Sequence, residues 1–355
     1  MLGLTRTPLR VSLFGGGTDY RPYFERRPGA VVGFAIDRYI YVSALKLNGW
    51  QDYNYRLAYS QLETVRSIED LEHPIVREVL RLWRVGERLD LSTQSDFPAG
   101  SGLGSSSAFT VGFVNLISTL FGRALSKAEL ARMAMHVEHD LLQENVGVQD
   151  QLHTAFGGLN RFDFDGGDIR VTPVAASPAT LARLNSCLVL VHCGVVRRAS
   201  DAAANQLDAI RRRQTDAELA ALYDLVGACV DLLERPGDPI RELGRLLREG
   251  WALKRRLASG VTTSTVDELY ERALQAGAYG GKLCGAGGGG AVFLLVEPER
   301  LAAVREAVSP FPVVPVEIDV AGAVVMHPTR RMPASLPHEL GASFRPANLT
   351  AAAAE

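Results

Sequence analysis

The sequence predicts a chain of two mixed domains in which strands and helices interleave. Three observations carry that prediction. At 355 residues the chain can bury two sizeable cores. Runs rich in Val, Ile, Tyr and Phe alternate with apolar residues at helical spacing through both halves. A Gly/Pro-rich stretch at 166–178, just after Gly157-Gly158, breaks the chain near its middle. The expected boundaries are 1–170 and 180–330. Residues 331–355, with several prolines and an Ala-rich end, read as a loosely held tail.

Taken in order, 31–47 reads as a long strand or bent pair, and 56–60 as a shorter strand. Residues 73–83 carry Ile75, Val79 and Leu82 at helical spacing. The segment after Ser107 is uncharged as far as Arg123. Thr110, Gly112, Asn115 and Ser118 make it a buried core helix rather than a membrane span. Ser126-Lys127-Ala128-Glu129 is a capping-box start. Its helix carries a stripe of Leu130, Met133, Ala134, Val137 and Leu141. The second half opens on a buried strand, 187–193, followed by helical patterns over 199–234 and 238–258. A helix at 265–276, a glycine loop, a strand at 291–296, a helix at 298–308 and a strand at 313–319 complete it. No internal repeat is visible.

Composition suits a cytoplasmic enzyme. Lys and Arg number 38 against 40 Asp and Glu, a net charge of −2 with no bulk signal for nucleic acid or a membrane surface. The four cysteines, at 187, 193, 229 and 284, form no C-x-x-C pair and read as reduced thiols. Arg6 and Arg10 interrupt the short apolar stretch at the N-terminus, so no signal peptide is expected.

Chemistry concentrates in residues 96–122. Pro98, Gly100, Gly102 and Gly104 allow sharp turns, and Ser105, Ser106 and Ser107 stand where a helix begins. The free N–H groups of such a terminus suit phosphate. No acid lies between Asp96 and Glu129 to repel it. The dinucleotide fingerprint fails, because Ser105 follows Gly104 and Arg123 is the first charge. No Lys-Ser or Lys-Thr follows the last glycine, which excludes a Walker loop. Asp163-Phe164-Asp165 is not the protein-kinase D-F-G.

The remaining pattern, P-x-G-x-G-L-G-S-S-S, resembles the phosphate loop of the GHMP small-molecule kinases. Thr7 through Tyr20, T-P-L-R-V-S-L-F-G-G-G-T-D-Y, looks like the first motif of that family. Gly281 through Gly290, G-K-L-C-G-A-G-G-G-G, looks like its third. Gly147-Val148-Gln149-Asp150-Gln151 resembles the catalytic-base segment. The resemblance implies an N-terminal domain like ribosomal protein S5 domain 2 and a ferredoxin-like C-terminal domain. ATP and acceptor would meet between them.

It also implies roles. Asp150 is the expected general base and Arg10 its adjacent cation. The cradle for ATP is Pro98, Gly100, Ser101, Gly102, Leu103, Gly104, Ser105, Ser106 and Ser107. Ser106 and Glu138 are the expected Mg2+ ligands, a hydroxyl and a carboxylate suited to a hard cation. Gly16, Gly17, Thr18, Asp19, Gly157, Gly158, Gly287 and Gly288 are expected at the acceptor. His136, His139 and His153 read as structural rather than as zinc ligands.

The first motif bears on the substrate. Galactokinases place Glu and His where this chain has Gly16 and Gly17. The Gly-Gly-Gly-Thr-Asp pattern is similar to the bacterial D-glycero-D-manno-heptose 7-phosphate kinase branch. So are Tyr55–Ser60, His73–Glu78, Gly157–Asn160 and Gly194–Ser200. The expectation is therefore an ATP-dependent sugar kinase acting on a sugar phosphate, with room for a homodimer. Arg198 is expected to read the acceptor's distal phosphate, with Arg197 and Lys282 in reserve. Fucokinases share the G-G-x-T-D element and are the enzyme alternative. A sugar-responsive regulator without catalysis is the remote one, since Arg10, Ser106, Glu138 and Asp150 are all present.

Overall fold

β-branched and aromatic residues dominate 29–46, and in the computed structural model they form one continuous 18-residue strand, β2 (Gly29–Lys46). The structure describes residues 2–194, 199–327 and 349–351. Along one edge β2 pairs antiparallel with β1 (Leu2–Phe14). Its other edge is shared: β6 (Leu159–Asp165) takes 29–34 and β5 (Leu89–Ser95) takes 40–46. A parallel pairing joins β3 (Tyr55–Ala58) to β5, and β4 (Leu62–Val65) pairs beyond it. On the far side, β7 (Asp168–Pro173) makes a hairpin with β6.

Four antiparallel strands make the second sheet: β8 (Leu188–His192), β9 (Gly280–Leu283), β10 (Ala291–Leu295) and β11 (Val313–Pro315). Their order is β11-β8-β10-β9, the ferredoxin-like arrangement. One apolar cluster runs from the first sheet into the second, where Phe34 meets Phe293 edge-on at 6.0 Å. The second sheet has the pairing order that the resemblance to the GHMP kinases implies for the C-terminal part of the chain.

Helix α1 (Arg21–Phe24) follows the first glycine turn, and α2 (Pro74–Leu82) matches the helix expected over 73–83. Helix α3 (Ser105–Leu120) is buried on nearly every side. It closes on β1 at Gly112, where any Cβ would lie 2.5 Å from the Thr7 hydroxyl. Ser126 caps α4 (Lys127–Met135) with a complete capping box. The helix does not continue as an α-helix through Leu141; residues 136–141 form a π-helical turn. Helix α5 (Gln149–Phe156) follows. Packed on the second sheet or between the two are α6 (Pro178–Asn185), α7 (Ala199–Arg211), α8 (Asp216–Glu234), α9 (Ile240–Lys254), α10 (Ser264–Gln275) and α11 (Leu301–Ala307).

Three expectations need correction. The Gly166-Gly167 pair does not separate domains. Both residues have positive φ and form the β6–β7 turn, so the first sheet extends to Pro173. The strand expected over 313–319 ends at Pro315, because the next residues cross to the first sheet. There Glu317 accepts the Asp37 N–H, and Asp319 donates its N–H to the Ala35 carbonyl. The end of the chain also returns. β12 (Val324–His327) pairs with β1, and β13 (Leu349–Ala351) pairs with β7, in segments expected as second domain and tail.

Candidate active site

A cavity of about 590 Å³ opens between the two sheets, floored by β1 and walled by the three glycine-rich segments. Arg10 points into it from β1 and is 5% exposed. Its Nε and one terminal nitrogen donate to the two oxygens of Asp150, each at 2.7 Å, and its other terminal nitrogen donates to the Gly102 carbonyl at 2.6 Å. Asp150 stands in the first turn of α5, not in a loop, with its carboxylate partly open to the cavity. A forked guanidinium–carboxylate pair fixes both orientation and charge. Each carboxylate oxygen keeps a lone pair for a further donor.

Beside this pair lies the start of α3. Gly100, Gly102 and Gly104 all have φ near +76°, a left-handed backbone that disfavours side chains. A Cβ on Gly104 would lie 3.1 Å from Arg10 and 3.3 Å from Asp150. Gly104 is the N-cap, no side chain caps it, and the first turn holds no acid. The free N–H groups and the positive end of the helix dipole therefore face the cavity, with Ser105, Ser106 and Ser107 around them. The third glycine segment backs this loop without a gap: the Ala291 N–H donates to the Ser101 carbonyl at 2.8 Å. A Cβ on Gly102 would lie 2.6 Å from the Cys284 carbonyl oxygen.

Glu138 lies on the π-helical turn and is fully buried. Ser107 donates to its Oε2 at 2.9 Å, and the Gln151 amide donates to the same oxygen. Oε1 has no hydrogen-bond partner among the described residues. The nearby Thr110 hydroxyl donates instead to the Ser106 carbonyl. Burial pushes the Glu138 carboxyl up to about 7. An orphaned buried carboxylate oxygen fits a divalent cation, and Ser106, exposed at the cavity wall, adds a hydroxyl.

Asp19 ties the first motif to the base segment. Its oxygens accept the N–H groups of Gly17 at 2.8 Å and Gln149 at 3.4 Å. It is fully buried, and burial pushes its carboxyl up to about 6, with the charge of Asp150 adding to the rise. Gly16 and Gly17 line the cavity beside it, whereas Thr18 spends its hydroxyl on the Gly15 and Ala30 carbonyls.

Family models describing GHMP kinases match on both sides of the cavity, the N-terminal domain over residues 71–158 and the C-terminal one over 229–312. The chain belongs to the GHMP kinases. Among curated relatives, a D-glycero-alpha-D-manno-heptose 7-phosphate kinase of Campylobacter jejuni is 28% identical over 306 residues, 83% of this chain and 90% of the relative. A mevalonate kinase of Thermococcus onnurineus is 28% identical over 79% of this chain and 77% of its own length. A galactokinase of Mycobacterium tuberculosis is 29% identical over 61% of this chain and 67% of its own length. Among solved structures, a D-glycero-D-manno-heptose 1-phosphate kinase from Bacteriodes thetaiotaomicron superposes with a TM-score of 0.67 at 26% identity. That match covers 91% of this chain and 98% of the other. Lactococcus lactis galactokinase, solved with galactose, shares the fold with a TM-score of 0.70 at 19% identity, over 91% and 95% of the two chains.

In this GHMP kinase several expected site residues stand away from the cavity. Gly157 and Gly158 are not at the acceptor. They pack on the segment 319–322, where a Cβ on Gly157 would lie 2.2 Å from the Gly322 nitrogen, and Gly158 donates to the Asp319 carbonyl. Gly287 lines the cavity, while Gly288 donates its N–H to the Val261 carbonyl. Ser101 and Leu103 are buried behind the phosphate loop, and Pro98 is exposed where the loop begins. Arg197 and Arg198 lie outside the described residues.

Sequence reasoning missed Lys254. It follows Gly250 by four residues on α9, with Leu257 three further on, so it is a charge inside a buried stripe. That misplaced charge was the available signal. Its ammonium group donates to the Leu283 carbonyl at 2.8 Å and to that of Gly285. Lys282 donates to the Leu13 carbonyl at 3.1 Å. Both line the cavity. Burial draws Lys282 down to about 8 and Lys254 well below the usual range, the latter helped by the charge of Lys282.

Proposed function

We propose that this GHMP kinase transfers the γ-phosphoryl group of ATP to the anomeric hydroxyl of D-glycero-D-manno-heptose 7-phosphate, giving the 1,7-bisphosphate for nucleotide-activated heptose synthesis. The observation that carries the reading is the first motif as it stands in the cavity. Gly17 has no room for the side chain that galactokinases carry there, since at φ +106° a Cβ would lie 2.7 Å from Leu219 and 2.8 Å from Gln206. Gly16 leaves its part of the cavity wall beside Gln149 bare, and Asp19 and Asp150 line the same cavity. The heptose 7-phosphate kinase of Campylobacter jejuni, matched over most of both chains, supports the same substrate class.

In this reading the left-handed glycines and the α3 N-terminus receive the ATP phosphates through backbone N–H groups. Ser106 and Glu138 hold Mg2+, which supplies charge neutralisation at the phosphates. Asp19 accepts hydrogen bonds from acceptor hydroxyls. Arg10 holds Asp150 in place through two hydrogen bonds, and Asp150 takes the proton of the attacking hydroxyl as its oxygen bonds to the γ-phosphorus and ADP leaves. The shared G-G-x-T-D element favours a fucokinase-like free-sugar 1-kinase as the second reading.

The test is ATP turnover across heptose 7-phosphate, free heptose, mannose, fucose, galactose and mevalonate, with phosphorus NMR of the product. Highest kcat/KM for heptose 7-phosphate and a new anomeric phosphate resonance are the expected results. Preference for a free sugar, or phosphate at another position, overturns the assignment.

A further inference from the structure

Two ammonium groups stand in the C-terminal wall of the cavity with no carboxylate in ion-pair range among the described residues. Lys254 is 9% exposed and Lys282 is 8% exposed. Every hydrogen bond that either makes goes to a backbone carbonyl: Lys254 to Leu283 and Gly285, Lys282 to Leu13. An ammonium has three N–H donors. One on Lys254 and two on Lys282 are therefore left without a protein acceptor.

Burying an unpaired charge costs several kcal/mol, and apolar side chains of similar volume would fill the same wall without that cost. The two lysines also repel each other, and Arg10 adds a third positive field. Arg10 is neutralised by Asp150 at 2.7 Å. Asp19 acts on Lys282 only at a distance, and burial pushes the thiol of Cys284, near both lysines, up from its usual range. What the wall lacks is a ligand with about two negative charges.

Position sets Lys282 apart from the phosphate loop, while Lys254 bridges toward it, donating to the carbonyl of Gly285, which packs against Gly102. The loop already offers the N–H groups of α3 to a nucleotide. Lys282 is anchored instead at the end of β1, just ahead of the glycine turn of the first motif, within the field of Asp19. We infer that Lys254 and Lys282 form a second phosphate site, distinct from the glycine cradle, which receives the phosphate that the acceptor brings with it. The inference rests on the sugar-phosphate reading of the substrate. A compact ammonium suits this task as a point charge, and two of them match a phosphate dianion.

The experiment measures Lys254→Gln and Lys282→Gln at saturating ATP with heptose 7-phosphate and with free heptose. Loss of one charge-assisted contact is expected to raise KM for the phosphorylated sugar about 10- to 100-fold. The loss with free heptose should be smaller by about tenfold or more, and Lys282→Arg should recover most of the difference. In the unmodified enzyme, inorganic phosphate should compete with the sugar phosphate and not with ATP; that measurement stands even where a glutamine variant does not fold. Equal losses with both sugars, a rise confined to the KM for ATP, or phosphate competing with ATP alone would each overturn the inference. A wild-type preference for free heptose removes the acceptor reading and the inference together. A wild-type preference for the sugar phosphate that both glutamine variants keep removes the inference alone.

Discussion

The two walls of the cavity are charged in different ways. On the N-terminal side the charges nearest the acceptor have their partners in place: Arg10 is matched by Asp150, and Asp19 is held by backbone N–H groups, while Glu138 keeps one oxygen for a cation. On the C-terminal side Lys254 and Lys282 donate only to backbone carbonyls, and Lys254 also lies 5.9 Å from the centre of the Trp251 ring. The first wall is preorganised, with its charges fixed before any substrate arrives, which is where electrostatic catalysis draws its advantage. The second is incomplete and gains most when an anion arrives. Chemistry thus belongs to the wall whose reacting groups are already held in place, and recognition to the wall whose cations are not yet paired.

The largest expected effect breaks the preorganised wall. Asp150→Asn should lower kcat by about 10²–10⁴, the range for a positioned base, while nucleotide binding measured by fluorescence titration stays intact. Turnover within about threefold of wild type would move the base elsewhere.

Asp19 gives a smaller effect that pH reveals. Its folded pKa of about 6 lies above the ordinary 3.8, so the folded state binds more protons between those values. Stability of the ligand-free enzyme should therefore fall as pH rises from about 3.8 to about 6 and level off above. The rise corresponds to roughly 3 kcal/mol. Asp19→Asn should flatten that part of the melting-temperature profile, and an unchanged slope would assign it to other groups.

The smallest effect concerns the metal. Ser106→Ala and Glu138→Gln should each raise the Mg2+ concentration needed for half-maximal rate about tenfold or more, exceeding any change in the sugar KM. Unchanged magnesium titrations in both variants would place the ion on other residues.

What the sequence determined by itself was local. Three left-handed glycines ahead of an uncharged helix, the capping box at Ser126, and an acid between two glutamines each carry their meaning within ten residues or so. Turn strain, capping and dipoles are short-range, so they are legible in order. The sequence also carried the order of strands and helices in the second sheet, although its ferredoxin-like pairing rested on the family resemblance.

Only the tertiary structure decided which distant residues share a surface. Gly157-Gly158 looked like part of the site, yet its missing side chains serve a close approach to Gly322. Ser107, in the same run as Ser106, turned inward to hold Glu138 because the π-helical turn brings that carboxylate against α3. Gly166-Gly167 looked like a boundary and is a hairpin turn, since Gly serves both uses equally well. Lys254 was legible only as a charge in an apolar stripe. Its place in the cavity depends on α9 packing beside β9, a contact between segments some 30 residues apart that no local pattern encodes.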